Sequence, residues 1–226
     1  MKFVERNYGG RIFRPRPKIE FDANQGYLFI CTSWGAPSGS DRVISAIRDY
    51  FLSVRSDHES TSPFDRLTCL SSLANDLRIS VKLANDIIYS EENRAEYQSG
   101  FELFSLVHEN GEVCWAQIGL PSVFLDRPNS ALLPLSSSTD LATEFSQPMQ
   151  SLPPLPGKLL GVESSTDFET RSFRIQKGES LLLVSRSFLP AEIFNLSYGS
   201  RNIDEVSKLC SQNDPNLPFW TGTLSF

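Results

Sequence analysis

The chain has 226 residues, 40% of them hydrophobic, and a formal net charge of −6. That is enough apolar material to bury a substantial core in one domain, residues 1–226, and the acidic balance without a long basic tract argues against a nucleic-acid partner. No run of about 18 apolar residues could span a bilayer, and the opening MKFVERNYGGRIF lacks the apolar stretch of a signal peptide, so the expectation is a cytoplasmic protein with no membrane partner.

Residues 1–32 read as short strands interrupted by Pro15 and Pro17. Leu28 to Cys31 is an apolar run of strand length, followed by the small residues Gly35, Ala36, Pro37, Ser38 and Gly39. Ser38 or Ser40 then supplies an N-cap, with Asp41 in the first turn, for a helix over 39–54 that carries Val43, Ile44, Ile47, Phe51 and Val54 at helical spacing. After a polar loop containing His58, Ser62-Pro63 reads as a cap and first helical residue. From there Leu67, Leu70, Ala74, Leu77, Val81, Ala84 and Ile88 form an unbroken heptad seam. The seam fits either a coiled-coil dimer or two helices packed within one domain, and its Ser, Asn and apolar flanks favour the second.

Beyond Tyr97 the period changes to two: Phe101, Leu103, Ser105 and Val107 alternate with Glu102, Phe104 and Leu106. Val113 to Ile118 pairs back across Asn110-Gly111, which leaves His108 beside the turn, and Val123 to Leu125 is expected to continue the same sheet. Residues 136–157, rich in Ser and Pro, read as a loop or flap with one helical turn near Leu141, and Pro153-Pro154-Leu155-Pro156 as a stiff surface stretch. Strands are expected over 168–175, 181–184 and 222–226, and helices over 190–196 and 203–210. Cys31, Cys69, Cys114 and Cys210 are scattered without a C-x-x-C pair and read as reduced, mostly core residues. No G-x-S-x-G elbow supports a serine nucleophile, and the turn from Gly35 to Asp41 lacks the Gly-Lys-Ser ending of a phosphate loop.

Four segments, taken in order, resemble the metal-dependent type 2C (PPM) serine/threonine phosphatases. The strand, small-residue turn and helix of LFICTSWGAPSGSDRVISAIRDYF resemble the turn that reads Ala-Asp-Gly-Met-Gly-Gly-His in that family, with Ser33 on the bridging aspartate and Trp34 on its glycine. The hairpin FELFSLVHENGEVCWAQIGLPSVFL ends in Ile118-Gly119-Leu120-Pro121-Ser122, where the family has Val-Gly-Asp-Ser-Arg. The stretch 175–188 resembles Gly-Asp-x-Leu-Leu-Leu-Cys-Ser-Asp-Gly-Leu, with Arg186 in place of a metal-binding aspartate, and Trp220 lies on the acid of the closing Asp-Asn-x-Thr. At the N-terminal end, the family's Arg-x-x-Asn-Glu-Asp falls on Arg16, Glu20 and Phe21, or with a one-residue slip puts Asp22 on the aspartate.

The resemblance implies an α+β fold, a four-layer α-β-β-α sandwich of two mostly antiparallel central sheets flanked by helices. It also implies a degenerate member of the family, with Phe21, Ser33, Trp34, Arg186 and Trp220 at dismantled metal-site positions. Hydrolysis in that family needs two hard divalent cations sharing a bridging water, held mainly by carboxylates. A guanidinium, always charged, at about 4 Å from a dication would repel it by several kcal/mol even at an effective dielectric of about 20. The expectation is therefore no cofactor, no catalytic residue and a pseudophosphatase that works by binding another protein, either a phosphoprotein or a component of a kinase or phosphatase pathway, as a monomer or weak dimer. Arg16, Arg186 and the backbone N–H groups around Gly35 and Gly39 are the candidates for holding an anion. Two alternatives stay open: an active phosphatase using Mn²⁺ or Mg²⁺ with ligands recruited from Glu20, Asp22, Asp41 and Asp126, and a structural subunit.

Overall fold

The computed structural model describes residues 1–36, 39–56, 62–136, 140–145, 152 and 154–226. Within it the chain divides into two units, each assembled from separate stretches of sequence. The hairpin unit holds residues 17–118 and 158–174, and the terminal unit holds residues 1–16, 119–157 and 175–226.

The hairpin unit is an antiparallel sheet of five strands in the order β2 (Lys18–Asp22), β3 (Tyr27–Gly35), β4 (Ser99–Glu109), β5 (Glu112–Ile118) and β8 (Glu169–Arg174). The tight return between β4 and β5 is made by Asn110 and Gly111, both at positive φ (50° and 76°), a conformation that Asn and Gly adopt most cheaply. Strand β3 is buried from Tyr27 through Ser33, longer than the apolar run alone suggests. Side chains alternate between the faces of a strand. One face gathers Tyr27, Phe29 and Cys31 with Leu103, Val107, Cys114, Ala116 and Ile118 into a core with two helices. These are α1 (Gly39–Ser56), contributing Val43, Ile44, Ile47 and Phe51, and α2 (Ser72–Ile88), contributing Leu73, Ala74, Leu77, Val81, Ala84 and Ile88.

The structure shortens the second helix relative to the sequence reading. Ser62 is no helix cap: its hydroxyl closes a local turn on the N–H and carbonyl of Phe64. Ser71 caps α2 instead, accepting the N–H of Ala74 at 3.1 Å. Leu67 and Leu70 therefore precede the helix, and the Asn75 side chain binds the Leu67 and Leu70 carbonyls and the Leu67 N–H, pinning that lead-in. The remaining seam residues pack against α1 and the sheet, as the internal-pairing alternative expects. Of the two cap candidates for α1, Ser40 lies inside the helix and Ser38 lies outside the described residues, as does His58.

The terminal unit is a second antiparallel five-stranded sheet, in the order β1 (Lys2–Tyr8), β10 (Phe219–Ser225), β9 (Ser180–Ser185), β6 (Ser122–Asp126) and β7 (Leu133–Ser136). Here β6 departs from expectation. It does not extend the hairpin's sheet but pairs with β9 and β7 in the other one. Gly119 at φ +73° turns the chain out of β5, and Pro121 brings no N–H with which to prolong the ladder. Phe124, Leu182, Val184 and Phe219 on one face of this sheet pack with Val206 and Cys210 of α4 (Ile203–Asn213) and with Ile193 of a short 3₁₀ turn over Ala191–Asn195. The segment 190–196, expected to be α-helical, takes this tighter form. In the flap, a single turn, α3 (Ala142–Phe145), follows Leu141, while Pro153 and residues 137–139 and 146–151 lie outside the described residues. Two antiparallel five-stranded sheets flanked by helices are the architecture that the resemblance implies. Among the described residues no helix is long and apolar enough to cross a membrane.

Candidate functional site

The positions singled out in the sequence fall on both units. Phe21, Ser33, Trp34, Gly35 and Gly39 belong to the hairpin unit, Arg186 and Trp220 to the terminal unit, and Arg16 is the terminal unit's last residue before the chain enters β2.

In the hairpin unit, Glu20 on β2 accepts hydrogen bonds from the Tyr27 hydroxyl at 2.9 Å and from Arg48 of α1 at 3.0 Å on each carboxylate oxygen. Burial, then the bond to Glu20, pushes the Tyr27 hydroxyl up to about 12. Phe21, the next residue, is half-buried and points to the opposite face, paired in register with Leu28. Asp22 is spent on a turn, its Oδ1 accepting the N–H groups of Asn24 and Gln25 at 2.8 and 3.0 Å.

Ser33 and Trp34 sit at the end of β3 and diverge to opposite faces. The Ser33 hydroxyl donates to the Ala36 carbonyl at 2.7 Å, closing the turn on itself. The Trp34 indole donates to Glu102 on β4 at 3.0 Å. Glu102 is 3% exposed, an acid inside a strand buried on both faces. Sequence reading passed over it as the polar member of an alternating strand. The available signal is that its neighbours Phe101, Leu103 and Phe104 are all core residues, so no solvent face exists for it. The two glycines serve packing. A Cβ on Gly35, whose φ is +154°, would stand 2.4 Å from the Gln98 carbonyl oxygen, and one on Gly39 would stand 2.4 Å from the Phe101 ring. The Gly39 N–H already donates to the Ala36 carbonyl at 3.3 Å, so it is not a free donor for an anion.

In the terminal unit, Arg186 follows β9 and is 1% exposed. Its guanidinium reaches the C-terminal end of α4, donating to the Cys210 carbonyl at 2.6 Å, the Asp214 carbonyl at 3.2 Å and the Asn213 side-chain oxygen at 3.4 Å. The last carbonyls of a helix lack intrahelical partners and carry the negative end of its dipole, so a buried cation is well placed there. Arg186, singled out in the sequence as a replaced metal-site position and a candidate for holding an anion, thus has its two terminal nitrogens on the end of α4. Its charge is consumed by the helix end, and Cys210, whose thiol burial pushes up, sits beside it. Trp220 takes the other face of the sheet, since its neighbour Phe219 is on the α4 face. Its ring lies over Gly222, where a Cβ would come within 2.7 Å of it, and its indole N–H donates to Glu5 on β1 at 2.5 Å.

The acids weighed as recruited ligands are also engaged. Asp41 pairs with Lys18 at 2.8 Å, Glu20 with Arg48, and Asp126, 7% exposed, with the buried Arg201 at 2.7 Å. His108 is half-buried on β4, and burial lowers its pKa below the usual imidazole value. Among the described residues no three or more His, Cys, Asp and Glu side chains form a group that could hold a metal ion. By chemistry alone, the residues that the resemblance assigns to metal-site positions do not fit hard divalent cations, since two indoles, a hydroxyl already donated and a guanidinium offer none of the carboxylates that such ions prefer.

No family model and no curated sequence matches the chain. Solved structures do resemble it. "PppA, a key regulatory component of T6SS in Pseudomonas aeruginosa" has 12% identity, with 98% of this chain and 96% of that chain covered and a TM-score of 0.67. The catalytic domain of the serine/threonine protein phosphatase PstP, in complex with two manganese ions, has 14% identity, the same coverage and a TM-score of 0.66. The PPM Ser-Thr phosphatase MsPP from Mycobacterium smegmatis, in complex with cacodylate, has 12% identity, 100% and 98% coverage and a TM-score of 0.68. These likenesses establish that the whole chain has the PPM phosphatase fold.

Proposed function

We propose that this chain is a pseudophosphatase, a PPM-type fold that acts by binding another protein and not by hydrolysing a phosphate ester. The observation that carries the reading is the use made of the side chains at the former acid positions. Ser33, Trp34 and Trp220 each commit their side-chain polar atom to a partner within their own unit, and Arg186 commits both terminal guanidinium nitrogens to a helix end, where its charge is buried, while its Nε has no hydrogen-bond partner among the described residues. A fold can outlive its chemistry when its core and turns remain satisfied without the ligands. The alternative of an active enzyme with relocated ligands would draw on Glu20, Asp41 or Asp126, each already in an ion pair, or on Asp22, whose Oδ1 holds a turn. A regulatory role on another protein in the cytoplasm accords with the regulatory description carried by PppA, one of the structures that share the fold. Arg16, exposed ahead of β2, is the remaining candidate for meeting a phosphorylated or acidic group.

The test combines calorimetric titration with Mn²⁺ and phosphate-release measurements on a phosphopeptide. The expected result is neither metal uptake nor released phosphate. Metal-dependent release at steady turnover would overturn the proposal.

A further inference from the structure

We propose that residues 10–16 of the terminal unit, Gly-Arg-Ile-Phe-Arg-Pro-Arg, form a docking strap for an acidic segment of a partner protein. The proposal rests on the reading that the chain works by binding, and supplies the chemistry of what is bound.

The strap is held in place by its backbone. The N–H groups of Arg11 and Ile12 donate to the Asn216 carbonyl at 2.8 and 3.1 Å, and the side-chain guanidinium of Arg14 adds a bond to the Ser185 carbonyl at 3.0 Å. Gly10, at φ +58°, permits this approach, because a Cβ there would stand 2.4 Å from the Asn216 oxygen. Pro15 fixes its own φ and biases Arg14 toward extended backbone. A segment fixed in this way loses little conformational freedom on binding.

What the strap presents is unusual for this molecule. Phe13 is 78% exposed, more than any other large hydrophobic side chain among the described residues. Arg11 and Arg16 are exposed on either side of it and meet no carboxylate among the described residues. Other exposed arginines pair with carboxylates, Arg6 with Asp204, Arg42 with Glu91 and Glu92, and Arg171 with Glu169, whereas Arg94 and Arg174, likewise exposed without a carboxylate among the described residues, do not flank an exposed aromatic as a close pair. An aromatic between unpaired guanidinium groups suits a partner that offers carboxylates around an apolar residue, since arginine matches carboxylate bidentately and aromatic and Arg side chains anchor interfaces.

Charge decides the class of partner. Anionic membranes are usually held by clusters of about 4–8 basic residues, whereas here Arg14 is already bonded and the chain as a whole is at −6. An extended polyanion, membrane or nucleic acid, would meet that unfavourable field. A short acidic peptide would meet only the strap.

The experiment measures fluorescence anisotropy of a labelled glutamate-rich peptide carrying one central leucine, titrated with the full chain. The same peptide with glutamine for glutamate, and phosphatidylserine vesicles, serve as further probes. The acidic peptide should bind, more weakly as salt is raised. Combined Arg11→Glu and Arg16→Glu should weaken it by about tenfold or more, and Phe13→Ala by about tenfold. Unchanged unfolding temperatures would show that these exposed substitutions leave the fold intact. The proposal is overturned if the glutamine peptide binds as well, if the variants bind like the parent, or if only the vesicles bind. Phosphate release is read separately, so loss of the strap and loss of the pseudophosphatase reading are distinguishable.

Discussion

Replacing Arg186 by aspartate would restore the residue type that the phosphatase resemblance calls for at that position. The side chain there is 1% exposed and its partners are three oxygens, the Cys210 and Asp214 carbonyls and Asn213 Oδ1, at 2.6, 3.2 and 3.4 Å. An aspartate accepts hydrogen bonds and donates none, so Arg186→Asp leaves these acceptors facing a buried anion beside the negative end of α4. Breaking a buried charged constellation costs about 3–5 kcal/mol. The Cys210 carbonyl keeps the Asp214 N–H at 3.5 Å, which places the cost in the lower half of that range. At about 2–4 °C per kcal/mol for a chain of this size, a loss of about 3–4 kcal/mol lowers Tm by about 6–16 °C. Arg186→Met removes the donors without adding a buried anion and should lose about 1–3 kcal/mol. Thermal unfolding followed by tryptophan fluorescence, with Mn²⁺ titration of each variant, measures both effects. An Arg186→Asp protein that melts within about 2 °C of the parent, or that acquires stoichiometric Mn²⁺ binding, would refute the assignment of Arg186 to the helix end.

The thiols and the buried ion pair give three further expectations. Cys69 is exposed while Cys31, Cys114 and Cys210 are buried, so brief native alkylation at neutral pH should modify Cys69 alone, as read by peptide mass spectrometry; early labelling of Cys31 would contradict the core described for α1 and β3. Burial pushes the Cys31 and Cys114 thiols up to about 12 from 9.0. The unfolded chain therefore releases these protons at lower pH than the folded one, and their contribution to stability is complete below pH 9 and lost as pH rises toward 12. Denaturation midpoints should fall across that window, and less so in a Cys31→Ala, Cys114→Ala variant. Asp126→Ala strands the buried Arg201 and should cost about 3–5 kcal/mol, of which the paired Asp126→Leu, Arg201→Met variant recovers a substantial part. Chemical denaturation of the two variants and the parent tests this, and an Asp126→Ala midpoint equal to the parent's would exclude an energetic role for the pair.

Much of this architecture is legible in residue order because its determinants are local. The hairpin turn at Asn110-Gly111 needs only two residues that tolerate positive φ, and helix α1 needs only the spacing of Val43, Ile44, Ile47 and Phe51. That Ser33, Arg186 and Trp220 carry no carboxylate is likewise visible without coordinates, because it is a matter of residue identity, and only the resemblance assigns acids to those positions. Periodicity, by contrast, is silent about which sheet a strand joins. Val123 to Leu125 alternates equally well in either, and pairing with β9 decided the matter. The start of α2 passed from Ser62 to Ser71 because the Asn75 side chain holds the lead-in through contacts that the seam does not encode.

Long side chains show the division most sharply. From sequence, Arg186 is a fixed positive charge and Glu102 an acid in an alternating strand; nothing local states where either ends. The guanidinium spans several ångströms, and its destination is set by the carbonyls of a helix that lies 24 residues further on at Cys210. Glu102 is buried because its strand is covered on both faces, with Trp34 supplying the hydrogen bond. The sequence alone thus determined which groups exist and the local shapes that carry them. Tertiary packing alone decided which groups meet, because desolvation and hydrogen-bond satisfaction act between parts of the chain that only folding brings together.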